Sequence, residues 1–220
     1  MKIVQCWDDG VLDDIRLIEI LRRYDAKASF NLNMGTHPSI RKASWMFRDV
    51  KEVWKLGKGE LRDVYEGFTI ANHSYKHLNL PSVPIDEAIE DIRVGRDALE
   101  QYFGCPVTGF VYPCGLHDAD IENAVREAGH IYARTTKNVD CVFPPDEPMA
   151  FHSNCHFAAA DFMDRFERAL EESHPVFYFW GHSYEMITDD DWAEMESKIS
   201  RLSSAPDCVW ADLPDLFEEE

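Results

Sequence analysis

The sequence predicts an α/β fold, a closed or nearly closed (β/α) barrel of seven or eight parallel strands that forms a single domain over residues 1–220. Apolar runs typical of buried strands alternate with segments of helical periodicity along the chain. No glycine-rich phosphate loop follows the first strand, which disfavours a doubly wound sheet. No internal repeat, low-complexity tract or linker divides the sequence.

The first elements follow in order from the N-terminus. The segment "KIVQCW" reads as a strand, and "VLDDIRLIEILRRYDA" reads as a helix because its apolar residues recur at helical spacing. A second strand, "KASFNLNMG", stops at Gly35. Residues 36–58 carry aromatic residues between basic ones and fit the alternation less well, so we expect an insertion plus a helix there.

The remaining elements keep the alternation. "ELRDVYEG" is predicted to be helical, "FTIAN" is the third strand, and "PIDEAIEDIRVGRDALEQYFG" is a long helix with proline near its start and glycine at its end. The later strands are predicted in "VTGFVY", "IYARTT", "MAFHS", "VFYFW" and "CVWA". The later helices are predicted in "DADIENAVREAG", "ADFMDRFERALEES" and "DDDWAEMESKISRL".

The charge balance argues against several classes of partner. Lys and Arg number 22 against 41 Asp and Glu, a net charge of −19 that would repel nucleic acid and anionic membrane surfaces. No apolar run reaches the roughly 20 residues that span a bilayer, and the N-terminus shows no signal-peptide pattern. We therefore expect a cytoplasmic protein with six reduced cysteines, without a nucleic-acid or membrane partner.

Chemically active residues follow the predicted strands, where the active site of a barrel lies. Asp8 and Asp9 end the first strand as adjacent carboxylates. A bound cation would offset their repulsion, so that one aspartate ligates it while the other serves as a base. The alternative is an ordinary turn, because Asp and Gly are common turn residues.

Histidines supply further candidate ligands. His73 and His77 are four residues apart, a spacing that places both imidazoles on one face of a helical turn. His152 and His156 share that spacing, and on a strand they would also share a face. Only His73 directly follows a clear strand, which favours the first pair as ligands of zinc or a similar ion. His182 ends another apolar strand and is a candidate proton donor.

The ordered motifs "CWDDG", "HSYKH", "FVYPCG" and "FWGHS" resemble those of the polysaccharide deacetylases, the NodB-homology carbohydrate esterases of family 4. The resemblance implies a distorted (β/α) barrel that forms a single catalytic domain over residues 1–220, a divalent metal ion, commonly zinc, and hydrolysis of N- or O-acetyl groups. It implies Asp8 as general base, His182 as general acid, and Asp9, His73 and His77 as metal ligands. Substrate and oxyanion contacts are expected from Tyr112, Pro113, Cys114, Arg134, Trp180 and Glu185.

The chain departs from the family pattern at two positions. Val111 lies in the motif that carries an arginine in many members, and we hypothesise that Arg134 supplies this charge one strand later. Cys114 stands where an aromatic residue is common; its backbone N–H can still stabilise an oxyanion. The acid that orients His182 stays open among Asp140, Asp161 and Glu185.

The function that the resemblance implies is a metal-dependent deacetylase that removes an acetyl group from an N-acetylated carbohydrate, with a small-molecule or oligosaccharide substrate. One alternative is a catalytically silent barrel that binds carbohydrate through its aromatic residues, which make up 12% of the chain. Another is a hydrolase of a small non-sugar amide. A glycoside hydrolase fits less well, because its two carboxylates stand roughly 5 to 10 Å apart across the sugar.

Overall fold

The computed structural model describes residues 1–217; residues 218–220 of the predicted domain lie outside the described part. The strands are β1 (Lys2–Asp8), β2 (Ser29–Leu32), β3 (Lys42–Phe47), β4 (Lys51–Lys55), β5 (Thr69–Asn72), β6 (Gly109–Val111), β7 (Tyr132–Asn138), β8 (Phe151–Ser153), β9 (Cys155–His156), β10 (Val176–Gly181) and β11 (Val209–Trp210). The α-helices are α1 (Asp14–Arg23), α2 (Leu61–Val64), α3 (Ile85–Phe103), α4 (Ala119–Glu127), α5 (Phe162–Glu171) and α6 (Asp189–Ser203).

The main sheet is parallel and nearly closed into a barrel. Its strands lie in the order β8, β7, β6, β5, β2, β1, β10, β9, and a ninth strand, β11, pairs with the start of β1. Strands β8 and β9 are separated in the chain only by Asn154, yet they pair with β7 and β10 at opposite ends of this order. Asn154 exchanges hydrogen bonds with Tyr178 of β10, each 2.7 Å long. The segment 151–156 therefore joins the two edges of the sheet, and the predicted barrel of seven or eight parallel strands is confirmed, with eight strands in its ring.

The burial of the elements follows their sequence pattern. Strand β1 is buried at every position except its first, as expected for a parallel strand covered on both faces. Helix α1 buries its apolar stripe. Helix α3 begins after Pro84 and ends at Phe103, where it is capped by Gly104, whose φ of 76° is left-handed. None of the helices within residues 1–217 is long and apolar enough to cross a membrane.

Alternate strand residues point into the barrel and form layers. In one layer Cys6, Tyr132 and Tyr178 pack together, with the Cys6 sulfur 3.1 Å from the Tyr178 hydroxyl. Because side chains alternate along a strand, the residues two positions further on also face inward. They form the next layer, at the carboxyl ends of the strands: Asp8, Arg134 and Trp180.

The structure corrects the prediction for residues 36–58. The segment is an insertion, as expected, but it forms an antiparallel hairpin of β3 and β4 outside the main sheet, and residues 36–57 contain no helix. A single 3₁₀ turn, Lys58–Glu60, then leads into α2. The hairpin escaped prediction because β3 is exposed on one face and only half-buried on the other, so its hydrophobic alternation is weak.

Candidate active site

The carboxylate of Asp8 lies between two hydrogen-bond donors in the barrel interior. Asn31 donates to Oδ1 at 2.6 Å, and the guanidinium of Arg134 donates to Oδ2. Asp8 is 2% exposed. Burial disfavours its ionised form, but Arg134, His73 and His182 outweigh burial and lower the pKa of Asp8 below its ordinary value. Asp8 is therefore an ionised carboxylate at neutral pH.

Arg134 is a buried cation whose partner is Asp8. Its guanidinium lies over the ring of Trp180, 4.3 Å from the ring centroid. Among residues 1–217, Asp8 is the one carboxylate within 4 Å of this guanidinium. Burial lowers the pKa of Arg134, but Asp8 outweighs burial and the net shift is upward. The structure thus places Arg134 where the hypothesis for the missing family arginine requires it; its catalytic role stays a prediction.

Asp9, His73 and His77 direct one ligand atom each toward a common point, and these atoms lie within 4.8 Å of one another. Nδ1 of His73 donates to the carbonyl of Val111 at 2.8 Å, which leaves the lone pair of Nε2 available. Burial lowers the pKa of His73 to about 4, so this imidazole is neutral at neutral pH. One carboxylate and two imidazoles form a donor set that zinc and similar divalent ions accept. The three residues fit such an ion.

The loop that presents the two histidines is not helical, which corrects the predicted helical turn. Ser74 and His77 have φ angles of 60° and 59°, in the left-handed region. The Ser74 hydroxyl accepts the backbone N–H of His77 at 3.0 Å. Asp91 of α3 accepts the N–H groups of the two residues between them, at 3.1 Å each. The rings of His73 and His77 meet edge to face, with centroids 4.8 Å apart.

The turn after β1 is held by the neighbouring hairpin. Asp9 has a φ of 84°, a left-handed conformation that costs a non-glycine residue roughly 1–3 kcal/mol. The ammonium of Lys55 donates to the backbone carbonyl of Asp9, and the N–H of Leu12 donates to the carbonyl of Trp54 at 2.8 Å. Both aspartates are buried. Asp8 therefore ends strand β1, the chain bends at Asp9, and both carboxylates of "DDG" reach the site.

His182 lies opposite the aspartates, at the end of β10. Its Nε2 is 3.8 Å from Oδ2 of Asp8 and 3.9 Å from Oδ2 of Asp9. Its Nδ1 is 3.5 Å from Oε1 of Glu185, longer than an ordinary hydrogen bond, and Oε2 of Glu185 is 2.8 Å from Nε2 of His156. Burial lowers the pKa of His182, but Glu185 and the aspartates outweigh burial and raise it.

Of the three acids left open by the sequence, Glu185 lies beside His182. Asp161 pairs with Arg165 at 2.8 Å, and Asp140 lies 3.8 Å from the same arginine. Burial raises the pKa of Glu185, but the two adjacent imidazoles outweigh burial and lower it to about 2. Glu185 is therefore the acid that faces the candidate proton donor.

His152 and His156 do not share a face, because Asn154 separates them onto two strands. Nδ1 of His152 lies 2.7 Å from the hydroxyl of Thr135, on β7. His156 instead contacts Glu185. The sequence did not identify His156 as part of this group, and its spacing from His152 gives no signal of that role.

The remaining predicted residues surround the site. Tyr112 is buried and donates its hydroxyl to the carbonyl of Met149 at 2.8 Å, so its side chain supports the turn after β6 instead of facing a substrate. Pro113 is buried, whereas Cys114 is exposed with a φ of 57°. Trp180 covers the guanidinium of Arg134 and contacts the ring of His182 edge to face at 5.5 Å.

Sequence reasoning also missed a buried carboxyl group behind the site. Asp14, at the start of α1, accepts hydrogen bonds from the N–H of Val11 at 3.1 Å, the hydroxyl of Tyr65 at 2.6 Å and the hydroxyl of Ser183 at 2.5 Å. Burial raises its pKa to about 7. Asp14 therefore connects the turn after β1 to the residue that follows His182.

Comparison with known families assigns the chain. A family profile described as polysaccharide deacetylase matches residues 1–133, more than half of the sequence. The chain belongs to the polysaccharide deacetylase family. The match contains Asp8, Asp9, His73 and His77, while Arg134 and His182 lie beyond it. A comparison with curated proteins gave no match.

Solved structures of deacetylases share the fold of this family member. A polysaccharide deacetylase from Bacillus cereus is 20% identical with a TM-score of 0.52; the alignment covers 67% of this chain and 44% of that one. The chain thus spans less than half the length of that protein. The Bc1960 peptidoglycan N-acetylglucosamine deacetylase, in complex with 4-naphthalen-1-yl-N-oxidanyl-benzamide, is 15% identical with a TM-score of 0.61, over 100% and 89% of the two chains.

A third similar structure is a mutant of BA3943, described as a pseudoenzyme of carbohydrate esterase family 4. It is 17% identical with a TM-score of 0.59, and the alignment covers 99% of this chain and 67% of that one. At these identities the similarities show a shared fold. The activity of the present chain has to be argued from its own residues.

Proposed function

We propose that this family member is a metal-dependent hydrolase that removes an acetyl group from an N-acetylated carbohydrate. One observation supports the proposal: the two adjacent aspartates have different partners. Asp8 is paired with Arg134, whereas Asp9 joins two histidines in a donor set for a divalent ion. Adjacent carboxylates with separate partners suit a base beside a metal ligand.

Asp9, His73 and His77 would hold the ion, and zinc suits this donor set. When bound, the ion would polarise the amide carbonyl and lower the pKa of water. The hydrogen bond from His73 to Val111 fixes the ring for this purpose, because it orients the imidazole and selects the tautomer.

Asp8 is the general base in this proposal. Both of its oxygens accept a hydrogen bond, and each retains a further lone pair that can receive a proton from the attacking water. Arg134 keeps the carboxylate ionised and limits its rotation. The base is therefore positioned and charged before substrate binds.

His182 is the general acid. Its Nε2 faces the same space as the two aspartates, and Glu185 lies against its other nitrogen. The surrounding carboxylates favour the imidazolium, which can protonate the departing nitrogen of the amide. The turn after β6 completes the site, with the backbone N–H of Cys114 as a donor to the developing oxyanion.

The test combines metal analysis with acetate release. Purified wild-type protein is expected to bind about one equivalent of zinc and to release acetate from N-acetylglucosamine oligomers, and a chelator is expected to abolish turnover. The double variant His73→Ala plus His77→Ala should lose the metal. A wild type without bound metal, or metal content unchanged in the double variant, contradicts the metal site. Oligosaccharide binding without acetate release supports the catalytically silent barrel instead.

A further inference from the structure

A second cluster of metal-ligating side chains lies against the face of His182 that points away from the two aspartates. It consists of His156 on β9, His182 itself and Glu185, which ends the 3₁₀ turn Ser183–Glu185 after β10. One ligand atom from each of the three residues lies within 4.8 Å of the other two. Two imidazoles and one carboxylate form a donor set that zinc and similar divalent ions accept. This second cluster therefore has the composition of a metal site.

The contacts within the second cluster lack the geometry of hydrogen bonds. Nδ1 of His182 is 3.5 Å from Oε1 of Glu185, and Nε2 of His156 is 2.8 Å from Oε2 of Glu185. Within residues 1–217, neither this Nδ1 nor Oε2 of Glu185 has a hydrogen-bond partner, although both atoms are buried. Nitrogen and oxygen ligands of a tetrahedral zinc ion lie about 3.3 Å apart, and each directs a lone pair at the ion. The two contacts bracket this separation, so a shared ion would satisfy both orphaned atoms.

A cation can reach the second cluster from the protein surface. The side chains of His156, His182 and Glu185 are 25%, 20% and 20% exposed. A cavity of about 220 Å³ reaches Glu185 from the side of α6, and Asp191 and Glu194 add carboxylates to its wall. Lys198 also lines this cavity but is paired with Glu194 at 2.6 Å. The route is therefore acidic, and the net charge of −19 favours the approach of cations.

The second cluster should bind an ion more weakly than Asp9, His73 and His77 do. Nδ1 of His73 donates to a carbonyl, which leaves its Nε2 free for an ion. In His156 the N–H of Ala158 donates to Nδ1 at 3.2 Å, so the neutral ring carries its proton on Nε2, and an ion must displace it. Outer partners that select the ligating tautomer contribute about 10–100-fold to metal affinity. Purified protein should retain one ion and take up another only from added metal.

We propose that His156, His182 and Glu185 form a second site for zinc or a similar divalent ion, and that an ion bound there inhibits turnover. The imidazolium of His182 carries a proton on each nitrogen. An ion on Nδ1 replaces one of these protons, so the ring no longer has the form that protonates the departing nitrogen. The inhibition rests on the proposed function, whereas the binding of the ion does not.

Calorimetric titration with zinc tests the second site. Wild type should bind about two equivalents in two steps, the second at least about tenfold weaker than the first. His156→Phe removes both ring nitrogens but keeps an aromatic ring against Phe157 and Trp180, and it should lose only the weaker step. His152→Phe is the matched control, since His152 contacts Thr135 on β7, and it should keep both steps.

The variants separate this site from the first one. Zinc steps that are all unchanged in His156→Phe overturn the second site, including the case in which a second ion binds elsewhere on the acidic surface. A wild type with a single step that His156→Phe loses supports the second site and contradicts the site formed by Asp9, His73 and His77.

Acetate release at increasing zinc concentration tests the inhibition. As the weaker step saturates, kcat of wild type and of His152→Phe should fall by about 10²-fold or more, because the acid is lost. His156→Phe should keep its own rate over the same zinc range. A wild-type rate that stays constant while the weaker step saturates overturns the inhibition. If wild type releases no acetate at any zinc concentration but shows the step that depends on His156, the proposed function fails and the second site stands.

Discussion

The guanidinium of Arg134 donates to the carboxylate of Asp8 inside the barrel, although 126 residues separate the two in the chain. Both side chains belong to one interior layer, because Asp8 ends β1 and Arg134 lies on β7 with the same inward orientation. Asp8 is thereby ionised in a buried position. The proposed base depends on this pair.

Replacement of Arg134 by methionine should impair both stability and catalysis. Removal of one partner from a buried ion pair costs about 3–5 kcal/mol of unfolding free energy. The pKa of Asp8 should rise, so the low-pH limb of the kcat/KM profile should move to higher pH. Chemical denaturation and the pH profile check these two effects. Arg126→Met, which removes an exposed arginine paired with Glu147, is the control. A pH profile of kcat/KM that is unaltered in both Arg134→Lys and Arg134→Met would rule out a role for Arg134 in keeping Asp8 ionised.

The two aspartates should give different phenotypes when each is changed to asparagine. Asp9→Asn should weaken zinc binding by at least about 100-fold, because loss of a direct ligand exceeds the 10–100-fold effect of its outer partners. Asp8→Asn should keep the metal and lower kcat by about 10²–10⁴-fold. Chelator competition measures the affinity, and acetate release measures the rate. Full activity in both variants would mean that "DDG" serves only as a turn.

Replacement of Glu185 by glutamine should shift the high-pH limb of the kcat/KM profile. Glu185 favours the protonated imidazole of His182, so loss of its charge lowers the pKa of His182. The acid must be protonated to act, and the alkaline limb should therefore move to lower pH. Glu172→Gln is a matched control, because Glu172 contacts the ring of His174 at 3.0 Å outside the site. An alkaline limb that stays in place would exclude Glu185 as the orienting acid.

Asp14 should make stability depend on pH. Its pKa is about 7 in the folded protein against an ordinary value of 3.8, so between these values only the unfolded chain ionises. Wild type should therefore lose stability relative to Asp14→Asn as the pH rises from 4 to 7, by up to about 4 kcal/mol, and the difference should be constant above this window.

Urea denaturation of both proteins across this pH range measures the difference. Asp13→Asn is the control for loss of a carboxylate at the start of α1, since Asp13 is a neighbouring residue that pairs with Lys51 near the surface. A difference between wild type and Asp14→Asn that does not change between pH 4 and 7 contradicts the raised pKa.

The conformations of two loops near the site could not be predicted from the sequence. The alternation of apolar runs predicted the parallel barrel, but the hairpin of β3 and β4 was missed, and with it the contact of Lys55 with Asp9. The histidine spacing led to a predicted helical turn, whereas His77 approaches His73 through left-handed backbone. Such conformations depend on hydrogen bonds to residues far along the chain, as with Asp91, and local spacing does not encode them.

The sequence by itself determined the fold and the residues that end its strands. In a parallel barrel all strands end on one rim, so the sequence alone predicts that Asp8, Asp9, His73 and His182 lie close together there. Only the tertiary structure decided which charges pair. Arg134 meets Asp8, and Glu185 meets His182 in preference to two other acids, because contacts across the barrel depend on strand register and closure at Asn154. These are properties of the assembled sheet and not of any local segment.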